Sequence, residues 1–227
     1  MKTPVLIAVV VVVALLAFGL YQALVVAPTE QTMGDVQRIF YYHVTSAWTG
    51  MLLFFVNFVA SIWYLFRRTS ASDAVAATTA EVGLVFWTIV LITGPIWARP
   101  VWGIWWTWDA RLTSTLLLWL IYVSYMILRR FSSGETPVLA AALAVFGFAD
   151  VPFVYLSIRY FRTQHPQPVI GGGGSLDPIM WHAALYNWLA FSAFAALLCW
   201  FRYQLERKQR DVEETLALES MLQGSAR

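Results

Sequence analysis

The sequence predicts an all-α integral membrane protein with six transmembrane helices. Hydrophobic residues make up 59 % of the 227 residues and charged residues only 12 %, against roughly 25 % charged residues in a soluble chain. The apolar residues are gathered into long blocks, and a bilayer core about 30 Å thick needs about 20 of them to cross it as a helix. These observations exclude a disordered chain, a nucleic-acid binder and an ordinary soluble enzyme.

Six blocks of sequence are long and apolar enough to span a bilayer. The first resembles a signal peptide, but its apolar stretch is about twice the usual length and only Lys2 precedes it, so we expect a retained anchor. The predicted spans cover residues 4–27, 44–66, 79–97, 112–128, 137–159 and 179–201.

The basic residues alternate between the two sides of these spans. One set of ten comprises Lys2, Arg67, Arg68, Arg129, Arg130, Arg202, Arg207, Lys208, Arg210 and Arg227. The other set of five comprises Arg38, Arg99, Arg111, Arg159 and Arg162. The positive-inside rule therefore predicts that both termini are cytoplasmic and that loops 28–43, 98–111 and 160–178 face outward.

We expect one six-helix transmembrane domain over residues 1–203 and a charged cytoplasmic tail over residues 204–227. The tail is predicted to be helical, with Glu206 and Arg210 at i,i+4 spacing. Two interpretations stay open for it, a solvated segment that orients the protein and a docking helix for a partner.

Tryptophan is concentrated in the region of the second outer loop, residues 97–111. Five of the twelve Trp residues lie there, namely Trp97, Trp102, Trp105, Trp106 and Trp108. An aromatic belt at the membrane surface is the simplest explanation, but it leaves the density of the cluster unexplained, together with Gly103 and the closing Asp109. A cluster of this kind builds a flat, apolar, polarizable shelf that suits a large planar ligand.

All three histidines lie on the predicted outer side of the membrane. His43 lies at the outer lip of the second span, and His165 lies on a proline-stiffened loop after the fifth. His182 lies near the start of the sixth span, where it can pair with Asp177 or Asn187. Taken singly, each is typical of a structural histidine; together, beside a tryptophan shelf, they suggest a shared ligand.

Two neutral imidazoles from separate loops can hold one metal from opposite faces. With a planar aromatic shelf beside them, the most economical ligand is haem, with His43 and His165 as axial ligands and His182 as a weaker candidate. A bare zinc site would need three or four ligands and no aromatic plane. The single Cys199 excludes a CxxCH attachment site within this chain. The five outer arginines can pair with haem propionates or simply anchor the protein at the interface.

Asp150 is the other notable residue, because an acid inside a span is costly and usually faces the bundle interior. It stands two residues before Pro152 in the fifth span. A buried partner for an arginine and a protonated carboxyl are both open, as is a purely structural role.

Residues 102–114 resemble the tryptophan-rich WWD signature, WGxxWxWDxRLTS, of the haem-handling proteins of cytochrome c maturation. The six-span size and the histidines in the first and third outer loops resemble the CcmC (haem exporter protein C) family within that group. The resemblance covers nearly the whole chain.

This resemblance implies a protein of the cytoplasmic (inner) membrane, not an enzyme, that holds haem b transiently at the outer face and presents it to the haem chaperone CcmE. His43 matches the first-loop axial ligand and His165 the third-loop ligand, although its neighbours Gln164 and Pro166 differ from the family's Leu and Gln. The implied partners are haem, CcmE, the CcmA–CcmB transporter, CcmD and membrane lipid. The implied haem-binding residues of the loop are Arg99, Trp102, Gly103, Trp105, Trp106, Trp108, Asp109 and Arg111.

Three other functions compete with this one. A WWD-type cytochrome c synthase uses the same kind of shelf but is usually larger. A membrane cytochrome b that carries electrons usually places its haem ligands inside the spans. A structural subunit or transporter would use the tryptophans only as lipid anchors.

Overall fold

A computed structural model describes residues 3–131, 136–167 and 176–225, and in these ranges the chain forms helices joined by short turns. The termini Lys2 and Arg227, both counted in the inner basic set, lie outside the described residues. A π-helical turn, Gln22–Val26, extends the first helix and a 3-10 turn, Asp35–Ile39, precedes the second. The helices are α1 (Thr3–Tyr21), α2 (Phe40–Arg67), α3 (Ser70–Trp102), α4 (Ala110–Phe131), α5 (Thr136–Phe148), α6 (Asp150–Tyr160) and α7 (Pro178–Ser225).

Six helical segments of the described chain are long and apolar enough to cross a membrane. The predicted all-α membrane fold with six spans is therefore confirmed, whereas the side of the membrane on which the termini lie stays a prediction. The observed segments are Thr3–Val26, Asp35–Arg67, Ser70–Trp102, Ala110–Phe131, Thr136–Tyr160 and Pro178–Glu213.

The third span is longer at both ends than the predicted 79–97. Thr69 caps its first turn by accepting a hydrogen bond from the Ser72 N–H, and the alanine-rich turns that follow are good helix formers. At the other end, Gly103 adopts φ 78°, and its N–H donates to the Arg99 carbonyl. This left-handed position favours glycine and ends the helix there, so the first residues of the predicted tryptophan loop are helical.

The fifth span is broken into two helices, α5 and α6. Pro152 has no N–H to donate to the carbonyl four residues earlier, so the backbone hydrogen-bond ladder is interrupted at this point. The Ala149 N–H bonds the Phe146 carbonyl instead, and Asp150 opens α6. One carboxylate oxygen of Asp150 is buried without a hydrogen-bond partner among the described residues.

Helices α2, α3 and α4 interlock through small and aromatic residues. A Cβ atom at Gly83 would lie 2.8 Å from the Phe54 ring, so only glycine permits this approach of α3 to α2. The Phe54 ring in turn stacks on Tyr122 of α4 at 3.7 Å between centroids. The Trp87 indole N–H donates to the Thr115 carbonyl at 2.9 Å and fixes α3 against α4. The ends of these helices that carry His43 and Arg111 are therefore held in a defined arrangement.

At the opposite end, an ionic cluster joins α7 to α3 and α4. The buried Asp73 carboxylate accepts two hydrogen bonds from Arg129, at 2.7 and 3.0 Å, and one from Arg210 at 2.6 Å. Arg210 also pairs with Glu206 at 2.9 Å, as the i,i+4 spacing predicts. The tail is thus helical and its first turns pack on the bundle, while the division of domains at residue 203 stays a prediction.

Candidate functional site

A cavity of about 390 Å³ lies at the end of the bundle away from the ionic cluster. Residues of α2, α3, α4, α6 and three loops line it, and it reaches down to Met51 and Trp87. Since His43 and Met51 are eight residues apart on one helix, the cavity extends about 12 Å below His43. The predicted site residues among its walls are His43, Trp102, Trp105, Trp106, Arg111 and His165.

A smaller cavity of about 80 Å³ adjoins the first. The two cavities share several lining residues, among them His43, Trp97, Arg111 and His165. The structure therefore brings His43 and His165, which are far apart in the sequence, to one place.

His43 lies in the first turn of α2 and is only 9 % exposed. Its Nδ1 atom is 2.9 Å from the Thr93 hydroxyl oxygen, and that hydroxyl donates its own proton to the Ile89 carbonyl at 2.6 Å. With that proton directed to Ile89, the Thr93 oxygen is the acceptor for His43, and the tautomer that matches this arrangement carries its hydrogen on Nδ1 and keeps a lone pair on Nε2.

His165 lies on the segment between α6 and α7 and is half-buried. Its Nδ1 atom is 2.9 Å from the Pro166 carbonyl oxygen. A carbonyl only accepts hydrogen bonds, so Nδ1 again carries the hydrogen and Nε2 is free. The surrounding walls, with the positive charge of Arg111 in addition, lower the pKa of His165 below its ordinary value and keep the ring neutral.

Asp109 joins the tryptophan loop, α4 and the His165 segment. One carboxylate oxygen caps α4 by accepting the Leu112 N–H at 2.9 Å. The other oxygen accepts the hydroxyls of Thr107 and Thr163, each at 2.8 Å, and Thr163 in turn accepts the His165 N–H at 3.0 Å. Burial raises the pKa of Asp109, but these hydrogen bonds outweigh it and hold the pKa below the usual value. Asp109 is thus placed behind the cavity wall, as a support.

The predicted tryptophan shelf is divided between the cavity and the surface. Trp102 and Trp106 are half-buried in the wall, and the Trp102 ring lies edge-on to His165 at 6.5 Å. Trp105 lines the cavity while remaining 58 % exposed. Trp108 is 76 % exposed and contacts Trp106 edge-on at 5.9 Å, outside the lining.

Two indole N–H groups of the wall lack a partner. Nε1 of Trp97 and Nε1 of Trp106 are buried without a hydrogen bond among the described residues. An unsatisfied buried donor is costly, and a polar group of a bound ligand would relieve that cost after a small adjustment of either ring.

The outer arginines have different surroundings. Arg111 is half-buried, lines both cavities and donates to the Val154 carbonyl at 3.2 Å. It forms no salt bridge within the part of the chain that the structure describes. Arg99 donates to the Gly103 carbonyl at the end of α3, and Arg38 bonds Asp35 and the carbonyls that end the first span. Arg159 and Arg162 are not among the described residues that line the larger cavity.

His182 and Asp150 lie away from the cavity walls. The exposed His182 ring stacks on Tyr186 at 6.4 Å. The two residues expected to pair with it bond elsewhere: Asp177 caps α7 through the Ile179 N–H, and Asn187 donates to the Gly19 carbonyl.

Sequence reasoning missed four residues that shape the site. Thr93 and Gly94 contact the His43 ring, and Thr163 links His165 to Asp109. Glu30 lines the cavity and accepts the N–H groups of Met33 and Thr32, which lower its pKa. None belongs to a recognisable motif. Thr93, Gly94 and Thr163 act across distant parts of the chain, and Glu30 bonds N–H groups of its own turn.

Known proteins resemble this chain along most of its length. The family model for heme exporter protein C matches residues 1–218. The heme exporter protein C of Bradyrhizobium diazoefficiens is 38 % identical over 169 residues, a match that covers 73 % of this chain and 64 % of that protein, less than two thirds of its length. The heme exporter protein C of Paracoccus denitrificans is 34 % identical over 201 residues, a match that covers 85 % of this chain and 82 % of that protein. A putative cytochrome c biosynthesis ccmC-like mitochondrial protein of Marchantia polymorpha is 31 % identical over 161 residues. This match covers 71 % of this chain and 69 % of that protein.

Proposed function

The chain belongs to the heme exporter protein C family, and from this premise we propose that it binds haem for cytochrome c biogenesis in the cavity between His43 and His165. Haem is its cargo, and the chain's own part is to hold and present it. The observation that carries the proposal is the pair of histidines, which come from separate elements to line one cavity, with neither Nε2 atom bonded to a described residue.

The two histidines would serve as the axial ligands of the haem iron. A neutral imidazole binds metal through an unprotonated ring nitrogen, and a hydrogen bond at the other nitrogen fixes its orientation. Both rings meet these conditions, His43 through Thr93 and His165 through Pro166. The shelf of Trp102, Trp105 and Trp106 supplies the flat apolar wall that suits a porphyrin.

Haem also carries two propionate groups, and the cavity offers donors for them. Arg111 presents a positive charge at the wall without a carboxylate partner in the described chain. The unpartnered indole N–H groups of Trp97 and Trp106 are further donors. A charge-assisted bond to Arg111 would recognise a carboxylate more strongly than a neutral donor would.

The cavity would face the periplasm, and the bound haem would be haem b, held without a covalent bond. The double arginines at the other ends of the spans favour this orientation by the positive-inside rule. The chain would then lie in the cytoplasmic membrane with both termini inside. From the exposed edge of the cavity at Trp105, haem would pass to the chaperone CcmE. CcmA–CcmB and CcmD would be the other partners.

Haem content and the visible spectrum test the proposal. Protein purified from haem-replete cells should show a low-spin bis-imidazole spectrum, and His43→Ala or His165→Ala should each lower haem content and change that spectrum. His182→Ala is the matched control and should leave both unchanged. Wild-type haem content and spectrum in both cavity variants would overturn the assignment.

Delivery is tested separately from binding. Haem-loaded protein mixed with purified CcmE should lose haem to it, and the rate should fall in Trp105→Ala at the exposed edge of the cavity. Co-expression with an apocytochrome c and no chaperone should give no mature cytochrome. Mature cytochrome in that experiment would indicate a synthase instead.

A further inference from the structure

The His43 ring rests on two consecutive residues of α3, Thr93 and Gly94. The Thr93 hydroxyl oxygen lies 2.9 Å from Nδ1 of the ring. A Cβ atom placed on Gly94 would lie 3.3 Å from Cε1, the carbon between the two ring nitrogens. The Trp97 ring meets the imidazole edge-on at 5.8 Å. One turn and a half of α3 thus encloses one edge of the histidine.

We infer that Thr93 and Gly94 are positioning residues for the haem ligand His43: Thr93 selects the ring's Nδ1–H tautomer, and Gly94 leaves the space that lets Nε2 point into the cavity. This inference rests on the proposed function, since it assigns these residues to the binding of the same cargo. Neither residue touches the iron, so both act through the imidazole.

The direction of the hydrogen bond carries the first half of the inference. The Thr93 hydroxyl has one proton, and the Ile89 carbonyl takes it at 2.6 Å. While that proton stays directed to Ile89, the nearer of the two acceptors at 2.6 Å against 2.9 Å, the oxygen accepts from His43. The tautomer with its hydrogen on Nε2 would then leave Nδ1 without a donor. Donation from Nδ1–H to an acceptor also makes the ring a stronger electron donor to a metal at Nε2.

The two proposed ligands differ in how this bond is made. His165 uses the Pro166 backbone carbonyl, which no side-chain substitution removes. His43 uses a side chain that lies 50 positions along the sequence, on another helix. Thr93 is therefore a side chain through which the tautomer of one proposed ligand can be perturbed without replacing that ligand.

Gly94 carries the second half of the inference. A contact of 3.3 Å is tighter than an ordinary van der Waals contact, so a methyl group there would push on Cε1 and turn the Nε2 direction. Alanine is also the better helix former. Gly94→Ala should consequently disturb ligation while the helix itself remains intact.

The test compares Thr93→Val, which keeps the shape and removes the acceptor, with Thr93→Ser, which keeps the hydroxyl. Thr79→Val is the control, because Thr79 is a buried threonine of the same helix that bonds carbonyls of α3 and no histidine. In the haem-free protein, ¹⁵N NMR of the imidazoles should report the Nδ1–H form of His43 in wild type, Thr93→Ser and Thr79→Val, and a mixture of tautomers in Thr93→Val.

With haem added, Thr93→Val should weaken ferric haem binding about tenfold or more, the usual effect of losing such a supporting bond. The reduction potential should rise, because a weaker donor stabilises ferric iron less, and Gly94→Ala should likewise weaken binding. An unchanged tautomer and potential in Thr93→Val would overturn the inference. If His43→Ala also leaves the spectrum unchanged, the proposed ligand itself fails; if His43→Ala abolishes the low-spin spectrum while Thr93→Val behaves as wild type, only this inference fails.

Discussion

Replacing Asp109 with alanine should detach the His165 segment from the tryptophan loop while leaving His43 in place. The carboxylate caps α4 at Leu112 and accepts the hydroxyls of Thr107 and Thr163. Only the Thr163 bond reaches the ligand segment, through the His165 N–H. The substitution therefore has two separable effects, one on stability and one on haem binding.

The magnitude follows from these contacts. Loss of an N-cap costs about 1 kcal/mol, and a hydrogen bond to a charged acceptor is worth about 1.5–3 kcal/mol. Because Asp109 is half-buried, we take the lower figure for each hydroxyl, which gives about 4 kcal/mol in all. The Thr163 bond accounts for about 1.5 kcal/mol, and since 1.4 kcal/mol is tenfold, haem affinity should fall about tenfold. In Asp109→Asn, the cap survives and the remaining bonds are neutral and about half as strong, so the loss should be about threefold.

Haem titration of the protein in lipid nanodiscs, followed by absorbance, measures the affinity, and thermal unfolding measures stability. A double-mutant cycle supplies the control: Thr163→Val should weaken binding less in the Asp109→Ala background than in wild type, because the shared bond is already gone. If Asp109→Ala binds haem as wild type does, or if the two effects simply add, Asp109 does not position His165 and the reasoning is refuted.

Three further predictions concern the rest of the fold and site. Because burial and Arg111 lower the pKa of His165, its ring should stay neutral as the pH falls below about 6.5, where a free histidine gains a proton; NMR titration of the haem-free protein should give a midpoint below that value, and a midpoint at or above it would contradict the geometry. Because this histidine gains its proton more readily in the unfolded chain than in the folded one, the free energy of unfolding should fall as the pH is lowered from about 6.5 to that midpoint. Asp73→Ala removes the two short hydrogen bonds of the largely buried Arg129 and leaves it Glu206, at 3.9 Å, as its remaining acidic partner in the described chain, so it should lower the free energy of unfolding by about 3 kcal/mol, measured by thermal denaturation; a change below about 1 kcal/mol would mean that the cluster is solvated. Trp106→Ala, in the cavity wall, should reduce haem affinity more than Trp108→Ala on the surface, and equal losses in the two titrations would contradict the division of the shelf.

Much of the architecture follows from local sequence properties. The six spans are long apolar blocks, and hydrophobicity over about 20 residues is a strong signal for a membrane helix. The ends of the spans are less well predicted: α3 begins at Ser70 because Thr69 caps it and alanines follow, a stretch too polar to belong to an apolar block. Helix α7 continues to Ser225, since nothing in the tail breaks a helix.

The site is predicted in part, for a similar reason. His43, His165 and Arg111 belong to distinctive segments, and the structure brings them to one cavity. The roles of Thr93 and Thr163 depend on contacts across 50 and 54 positions, which no local pattern reports. The family resemblance implies that Asp109 takes part in haem binding, and that stays a prediction. The carboxylate lies behind the cavity wall, where its hydrogen bonds hold the loops together.

The central claim is that one haem iron lies within reach of both His43 and His165. The most direct measurement is the ferric haem spectrum of His43→Gly and His165→Gly with and without free imidazole, with His182→Gly as the control. Each cavity variant should lose the low-spin bis-imidazole spectrum and regain it when imidazole fills the space left by the side chain, and the control should never lose it. A low-spin spectrum that persists in both cavity variants without imidazole would contradict the claim.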